Sequence, residues 1–169
     1  PVIEDAMGAW YRHHRRNEPR DWMDSLTWDQ EPRIDRFLMD YVGVEPSDYT
    51  TAVSRNLWIA MAARILKPGC KYDQLPYLKG PQGTLKSSLL EAIGGKWFAI
   101  ASADPQDKDF FMCQHGKRIL EIAELHSIMH TKADANRVKM VLSSATDRYR
   151  APYDTTAKDH QRMSVFIGT

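Results

Sequence analysis

A three-layer α/β sheet preceded by an N-terminal helical subdomain is the architecture this sequence predicts, on three observations. Residues 1–72 carry apolar side chains at helical spacing. From residue 73 onward short apolar runs alternate with helical stretches, the pattern of a parallel sheet with crossover helices. Between them, at 78–90, an apolar run enters a glycine-bearing turn, then a Lys-Ser pair, then a helix-like run, so a strand feeds a helix through a tight turn.

In the first part the spacing predicts helices over 6–16, 34–42 and 49–66. Asn17-Glu18-Pro19 and Gly43-Val44-Glu45-Pro46 read as breaks. Ser47 or Asp48 caps the third helix, and Pro68-Gly69 ends it. In the second part strands are expected near 74–78, 97–102, 118–123 and 164–168. Helices are expected at 86–93, 110–114, 125–130 and 134–144. The two domains predicted are thus 1–72, helical, and 73–169, the sheet. No internal repeat or low-complexity segment interrupts them.

The turn at 80–88 carries chemistry. Gly80-Pro81-Gln82-Gly83-Thr84-Leu85-Lys86-Ser87-Ser88 follows the phosphate-binding P-loop pattern, Gly-x-x-x-x-Gly-Lys-Ser/Thr, except that Leu85 stands where the last glycine belongs. Backbone amides of 83–88 at a helix N-terminus favour anions. Lys86 adds a point charge for the β- and γ-phosphates of ATP, and Ser87 a hydroxyl for Mg²⁺. Gly80 and Gly83 permit the tight turn. Leu85 either adopts a left-handed backbone at a cost of roughly 1–2 kcal/mol or crowds the phosphates. A surface turn ahead of an ordinary helix is the competing reading.

The run Lys117-Arg118-Ile119-Leu120-Glu121-Ile122-Ala123-Glu124-Leu125 is a buried-type strand with two carboxylates. Burying a carboxylate without a partner is expensive, so such acids face a metal or a partner. Glu121 is assigned to the metal and Glu124 to activating water, with the two roles exchangeable. An edge strand with solvent-facing glutamates is the alternative. A third group, Arg148, Tyr149, Arg150, Tyr153 and Lys158, interleaves cations with tyrosines and suits single-stranded DNA, with Pro152 and Asp154 marking a turn or hairpin tip. A solvated loop with its arginines paired to Asp147 and Asp154 explains the same residues.

Lesser features are explained structurally. His126 and His130 lack the glutamate and third ligand of a metalloprotease pattern, the basic tract from Tyr11 to Arg16 fits a charged helix face, and Trp22, Trp28 and Trp58 read as core anchors. The 169 residues are 43% hydrophobic and 27% charged with net charge +1, so any nucleic-acid binding must come from a local patch. Two cysteines and no signal peptide predict a reducing cytoplasm, and no apolar run is long enough to cross a membrane. A start at Pro1 and an end on an apolar run suggest a piece of a larger protein.

In this order the pieces resemble the virulence-associated protein E family, phage- and island-encoded P-loop ATPases related to superfamily-three helicases. The likeness begins at Asp24-Ser25-Leu26-Thr27-Trp28-Asp29 and runs through Asp40-Tyr41-Val42-Gly43, Ala63-Arg64 and Pro68-Gly69-Cys70-Lys71. It continues through the loop at 80–87, Lys96-Trp97-Phe98, Asp107-Lys108-Asp109 and Glu121-Ile122-Ala123-Glu124-Leu125, and closes on Asp147-Arg148-Tyr149-Arg150 and Val165-Phe166-Ile167-Gly168-Thr169.

The resemblance implies a three-layer P-loop NTPase fold and an ATP- and Mg²⁺-dependent, helicase-like enzyme acting on DNA in replication of a phage or mobile element. It also implies a homo-oligomeric ring and a primase-like region elsewhere in the polypeptide. It carries Lys86 and Ser87 into the phosphate and metal roles, Glu121 and Glu124 into the acidic pair, and 148–158 into a DNA-contacting hairpin. This chain departs at Leu85, at Asp154-Thr155-Thr156 in place of a glycine and basic residues, and by stopping before the asparagine-type residue that senses the γ-phosphate. The last departure implies that this chain by itself hydrolyses ATP poorly. The alternatives are a P-loop small-molecule kinase, and a degenerate module in which Leu85 blocks the pocket.

Overall fold

The computed structural model describes residues 17–101, 108–125, 131–150 and 156–169. Its contacts divide the chain into two units, Pro1–Pro32 and Arg33–Thr169. In the first unit Asn17-Glu18-Pro19 starts a helix, α1 (Glu18–Asp24). The Asn17 side chain accepts from the Arg20 amide, and Pro19 lies in the first turn, where its missing N–H forfeits no intrahelical bond. The helix expected at 6–16 lies outside the described residues.

In the second unit the helix expected over 34–42 is a turn followed by a π-helical segment, Leu38–Val42, which ends at Gly43 in the left-handed region (φ 75°). Buried Ser54 holds this segment, accepting from the Leu38 amide and donating to the Ile34 carbonyl. The long helix α2 (Asp48–Leu66) begins where the sequence indicates. Ser47 accepts from the Thr50 amide and the Thr50 hydroxyl accepts from the Ser47 amide, a reciprocal cap.

After the loop at 80–85 come α3 (Lys86–Gly94), β1 (Phe98–Ala101), α4 (Lys108–Met112), β2 (Ile119–Ile122) and α5 (Lys132–Ser143). The antiparallel pair β3 (Thr146–Tyr149) and β4 (Lys158–Gln161) follows, and β5 (Val165–Gly168) closes the order. The helix predicted at 125–130 falls, but for Leu125, outside the described residues.

Strands β1, β2 and β5 form a small parallel sheet in that order, with Phe98 opposite Ile119 and Ile119 opposite Val165. The strand predicted at 74–78 does not form. One parallel bridge, Tyr77 with Gly168, takes its place, made by the Leu78 amide to the Gly168 carbonyl and the Gly168 amide to the Pro76 carbonyl, each 2.9 Å. Pro76 has no N–H to extend the ladder. β5 lies between β2 and this segment.

Period-2 alternation sorts the strands' side chains to two faces. Leu120, Ile122 and Phe166 pack with Phe110 of α4 and with Val138 and Leu142 of α5. Ile119, Val165 and Ile167 pack with Leu57 and Ala60 of α2 and Leu90 of α3. Helices therefore cover both faces, giving a mixed α/β architecture whose sheet is only three strands wide.

The hairpin is anchored at its base by Arg162. Its guanidinium, fully buried, pairs bidentately with Asp147, donates to the Val141 and Leu142 carbonyls at the end of α5, and lies 5.0 Å from the Phe166 ring centre. Arg64, also buried, donates to the Ser164 and Tyr72 carbonyls. Burial first, and then the charge of Arg162, lower the pKa of Arg64. The same burial pushes the Tyr72 hydroxyl up to about 12.

Candidate phosphate-binding site

The alternation that builds the sheet also aims its acid. Glu121 shares a strand face with Ile119, the face covered by α3, so its carboxylate is directed to the side from which the first turn of α3 approaches. Ser87 in that turn donates to Glu121 Oε1 at 2.6 Å. Thr169, which continues the Val165–Ile167 face beyond β5, donates to the same oxygen at 2.6 Å. Glu121 is fully buried, and its Oε2 has no hydrogen-bond partner among the described residues. A buried carboxylate oxygen left unpaired costs more than a typical hydrogen bond contributes, so this atom is suited to a cation.

The loop at 80–85 folds on itself around Lys86. Lys86 Nζ donates to the Gly80 carbonyl (3.1 Å), the Pro81 carbonyl (3.0 Å) and Thr84 Oγ1 (3.3 Å), while Thr84 Oγ1 donates to the Pro81 carbonyl. Gly83 (φ 83°) and Leu85 (φ 60°, ψ 25°) both adopt the left-handed conformation. The Leu85 side chain is 71% exposed, so it points away from the protein. The backbone geometry that the pattern assigns to glycine is therefore kept at Leu85. No side chain caps α3, and its first-turn amides have no intrahelical acceptors. With Lys86 beside them they favour an anion.

Leu85→Gly is expected to raise stability by up to about 1.6 kcal/mol. It relieves a left-handed cost of about 1–2 kcal/mol and gives back about 0.4–1 kcal/mol in unfolded-chain entropy. Thermal unfolding measures this as a rise of a few degrees. A fall would assign Leu85 a packing role that its exposure denies.

The structure brings Lys86, Ser87 and Glu121 to one end of the sheet. Glu124 lies in the turn after β2, exposed and left-handed (φ 52°). Pro81, Gln82, Gly83 and Ser88 are exposed around the loop. Thr169 was not among the residues singled out from sequence, although its period-2 relation to Val165 and Ile167 places it on the face of Glu121. Among the described residues no group of three or more His, Cys, Asp or Glu gathers as a metal cluster. Mg²⁺ at phosphate sites needs only one or two protein oxygens beside phosphate and water, and Ser87 with Glu121 fit that requirement.

The sequence-predicted DNA residues lie on or beside the hairpin. Arg148 is exposed and paired with exposed Asp159 at 3.5 Å, and Arg150 and Lys158 are exposed. Tyr149 is engaged within the protein: its ring stacks on His160 at 4.1 Å, and its hydroxyl lies 3.0 Å from His115 Nδ1. Burial, then the charge of Asp147, raises the Tyr149 pKa. Tyr153 and the hairpin tip lie outside the described residues. No helix among the described residues is long and apolar enough to cross a membrane.

No curated protein matches the chain in sequence. The model of the virulence-associated protein E-like domain matches residues 23–169, which include the loop, the acidic strand, the hairpin and β5. The chain thus belongs to the virulence-associated protein E-like domain family.

Proposed function

We propose that the chain is an ATP-binding P-loop domain that, within its whole polypeptide, couples ATP hydrolysis to helicase-like work on DNA during replication of a phage or mobile element. One observation carries this reading. Fully buried Glu121 is bonded to the serine of a Lys-Ser pair at a helix start, and its second oxygen has no partner among the described residues.

Lys86 presents its ammonium to the β- and γ-phosphates, and Ser87 and Glu121 present adjacent oxygens to Mg²⁺. When bound, Mg²⁺ neutralises charge on the transferred phosphoryl group. Glu121, buried and committed to Ser87, suits the metal role, which leaves exposed Glu124 to orient the attacking water. The outward Leu85 side chain supports a competent pocket over an occluded one. Exposed Arg148, Arg150 and Lys158 supply cations for a DNA backbone, and a homo-oligomeric ring would complete the site with groups from a neighbouring subunit.

Calorimetry with Mg-ATP tests the reading, followed by hydrolysis with and without single-stranded DNA; absence of any binding heat would end it. Arg148→Ala is expected to weaken single-stranded DNA binding and to flatten its salt dependence by about 0.7 per lost phosphate contact. An unchanged slope removes Arg148 from the interface.

A further inference from the structure

A cavity of about 550 Å³ opens beside the phosphate loop within the second unit. It falls in the range of pockets that bury a small ligand. One wall is the 74–78 segment, which leads into the loop; another is Leu89, Leu90 and Ile93 of α3, which leads out of it. Leu78 is two residues before Gly80, and Leu89 is two residues after Ser87. The cavity therefore begins where the phosphate loop ends on both sides.

The remaining walls come from elements with no part in phosphate binding. Val53, Asn56 and Leu57 of α2 line it, with Leu38 and Val42 of the π-helical segment. Single π-helical turns are frequent at functional sites, and this one is built into the wall. The lining is mainly apolar, with a few polar groups among it. The Asn56 amide is half-buried and makes no hydrogen bond among the described residues. A mainly apolar lining with an unpaired amide suits a flat heteroaromatic ring with polar edges. Tyr49 and Tyr77, both exposed, add ring faces at the lining.

We infer that this cavity takes the base and ribose of the nucleotide whose phosphates lie at 80–88, so that α2 and the π-helical segment select a nucleoside triphosphate over a bare polyphosphate. The inference rests on the phosphate-loop reading above, and tripolyphosphate separates the two. Val53→Trp fills the cavity from α2, and Asn56→Ala removes its unpaired amide without adding bulk.

Calorimetry is run with Mg-ATP and with Mg-tripolyphosphate on the parent chain and on Val53→Trp, Asn56→Ala and Lys86→Ala. Val53→Trp is expected to weaken ATP at least tenfold and Asn56→Ala about fivefold, both leaving tripolyphosphate within twofold of the parent. Lys86→Ala is expected to weaken both ligands. Unchanged ATP affinity in both cavity variants, with Lys86→Ala still impaired, overturns the base site and leaves the phosphate reading standing. A parent chain that binds neither ligand overturns both. Should Val53→Trp fail to fold, Asn56→Ala decides: an ATP affinity equal to the parent's rejects the inference.

Discussion

Lys86→Ala is expected to lower Mg-ATP affinity by at least a hundredfold while leaving the fold intact. The ammonium is held between the Gly80 and Pro81 carbonyls at 3.0–3.1 Å, at the start of a helix whose first-turn amides lack side-chain partners. No other lysine or arginine occurs between Gly80 and Gly95, so the loop has no substitute charge of its own. The hydrogen bonds lost are solvent-accessible, and their removal costs about 1 kcal/mol or less. The informative measurement is the nucleotide-dependent thermal shift. ATP at a hundred times its dissociation constant stabilises the parent by about 2.7 kcal/mol, and this gain is expected to fall to about 0.4 kcal/mol or less in the variant at the same ATP concentration. Full retention of the shift would mean that nucleotide binds without the loop.

The largest expected effect on stability lies at the base of the hairpin. Arg162→Ala leaves the Asp147 carboxylate buried without its partner and removes the guanidinium donor from the Val141 and Leu142 carbonyls. Breaking one side of a buried pair costs about 3–5 kcal/mol, which in a domain of this size lowers the melting temperature by roughly 6–20 °C. Urea unfolding is the direct measurement. The double replacement Arg162→Met with Asp147→Leu should recover most of the loss, because an apolar pair of similar volume removes the unpaired charge. If Arg162→Ala unfolds at the parent's midpoint, the guanidinium does not hold the hairpin to the sheet.

The parts of the molecule that the sequence announced are those set by local rules. Ser47 or Asp48 marked the start of α2, the apolar run 118–123 marked β2, and the Lys-Ser pair marked the start of α3. The adjacency of Ser87 and Glu121 followed from pairing a strand acid with a loop serine, 34 residues apart. Other features depend on tertiary context. Pro76 cuts the 74–78 strand to one bridge, while Pro19, read as a breaker, starts a helix because Asn17 caps it. Strands β3 and β4 carry mostly polar residues (Thr146-Asp147-Arg148-Tyr149 and Lys158-Asp159-His160-Gln161) and show no apolar alternation. Their identity as strands comes from pairing with each other. The Arg162–Asp147 pair and the Thr169–Glu121 bond join side chains whose types have many other uses, so only the fold reveals them.

The one-rung attachment of Tyr77 to Gly168 bears on how tightly anything can be gripped next to it. Chain leading into the 80–85 turn is fastened to the sheet by two backbone bonds, so an occupant that needs it stiffened must meet an ordering cost of about 1–2 kcal/mol per residue fixed. Affinity falls by that amount, and departure quickens in proportion. Under the proposed helicase-like function, such looseness would let spent nucleotide leave before the next round of hydrolysis.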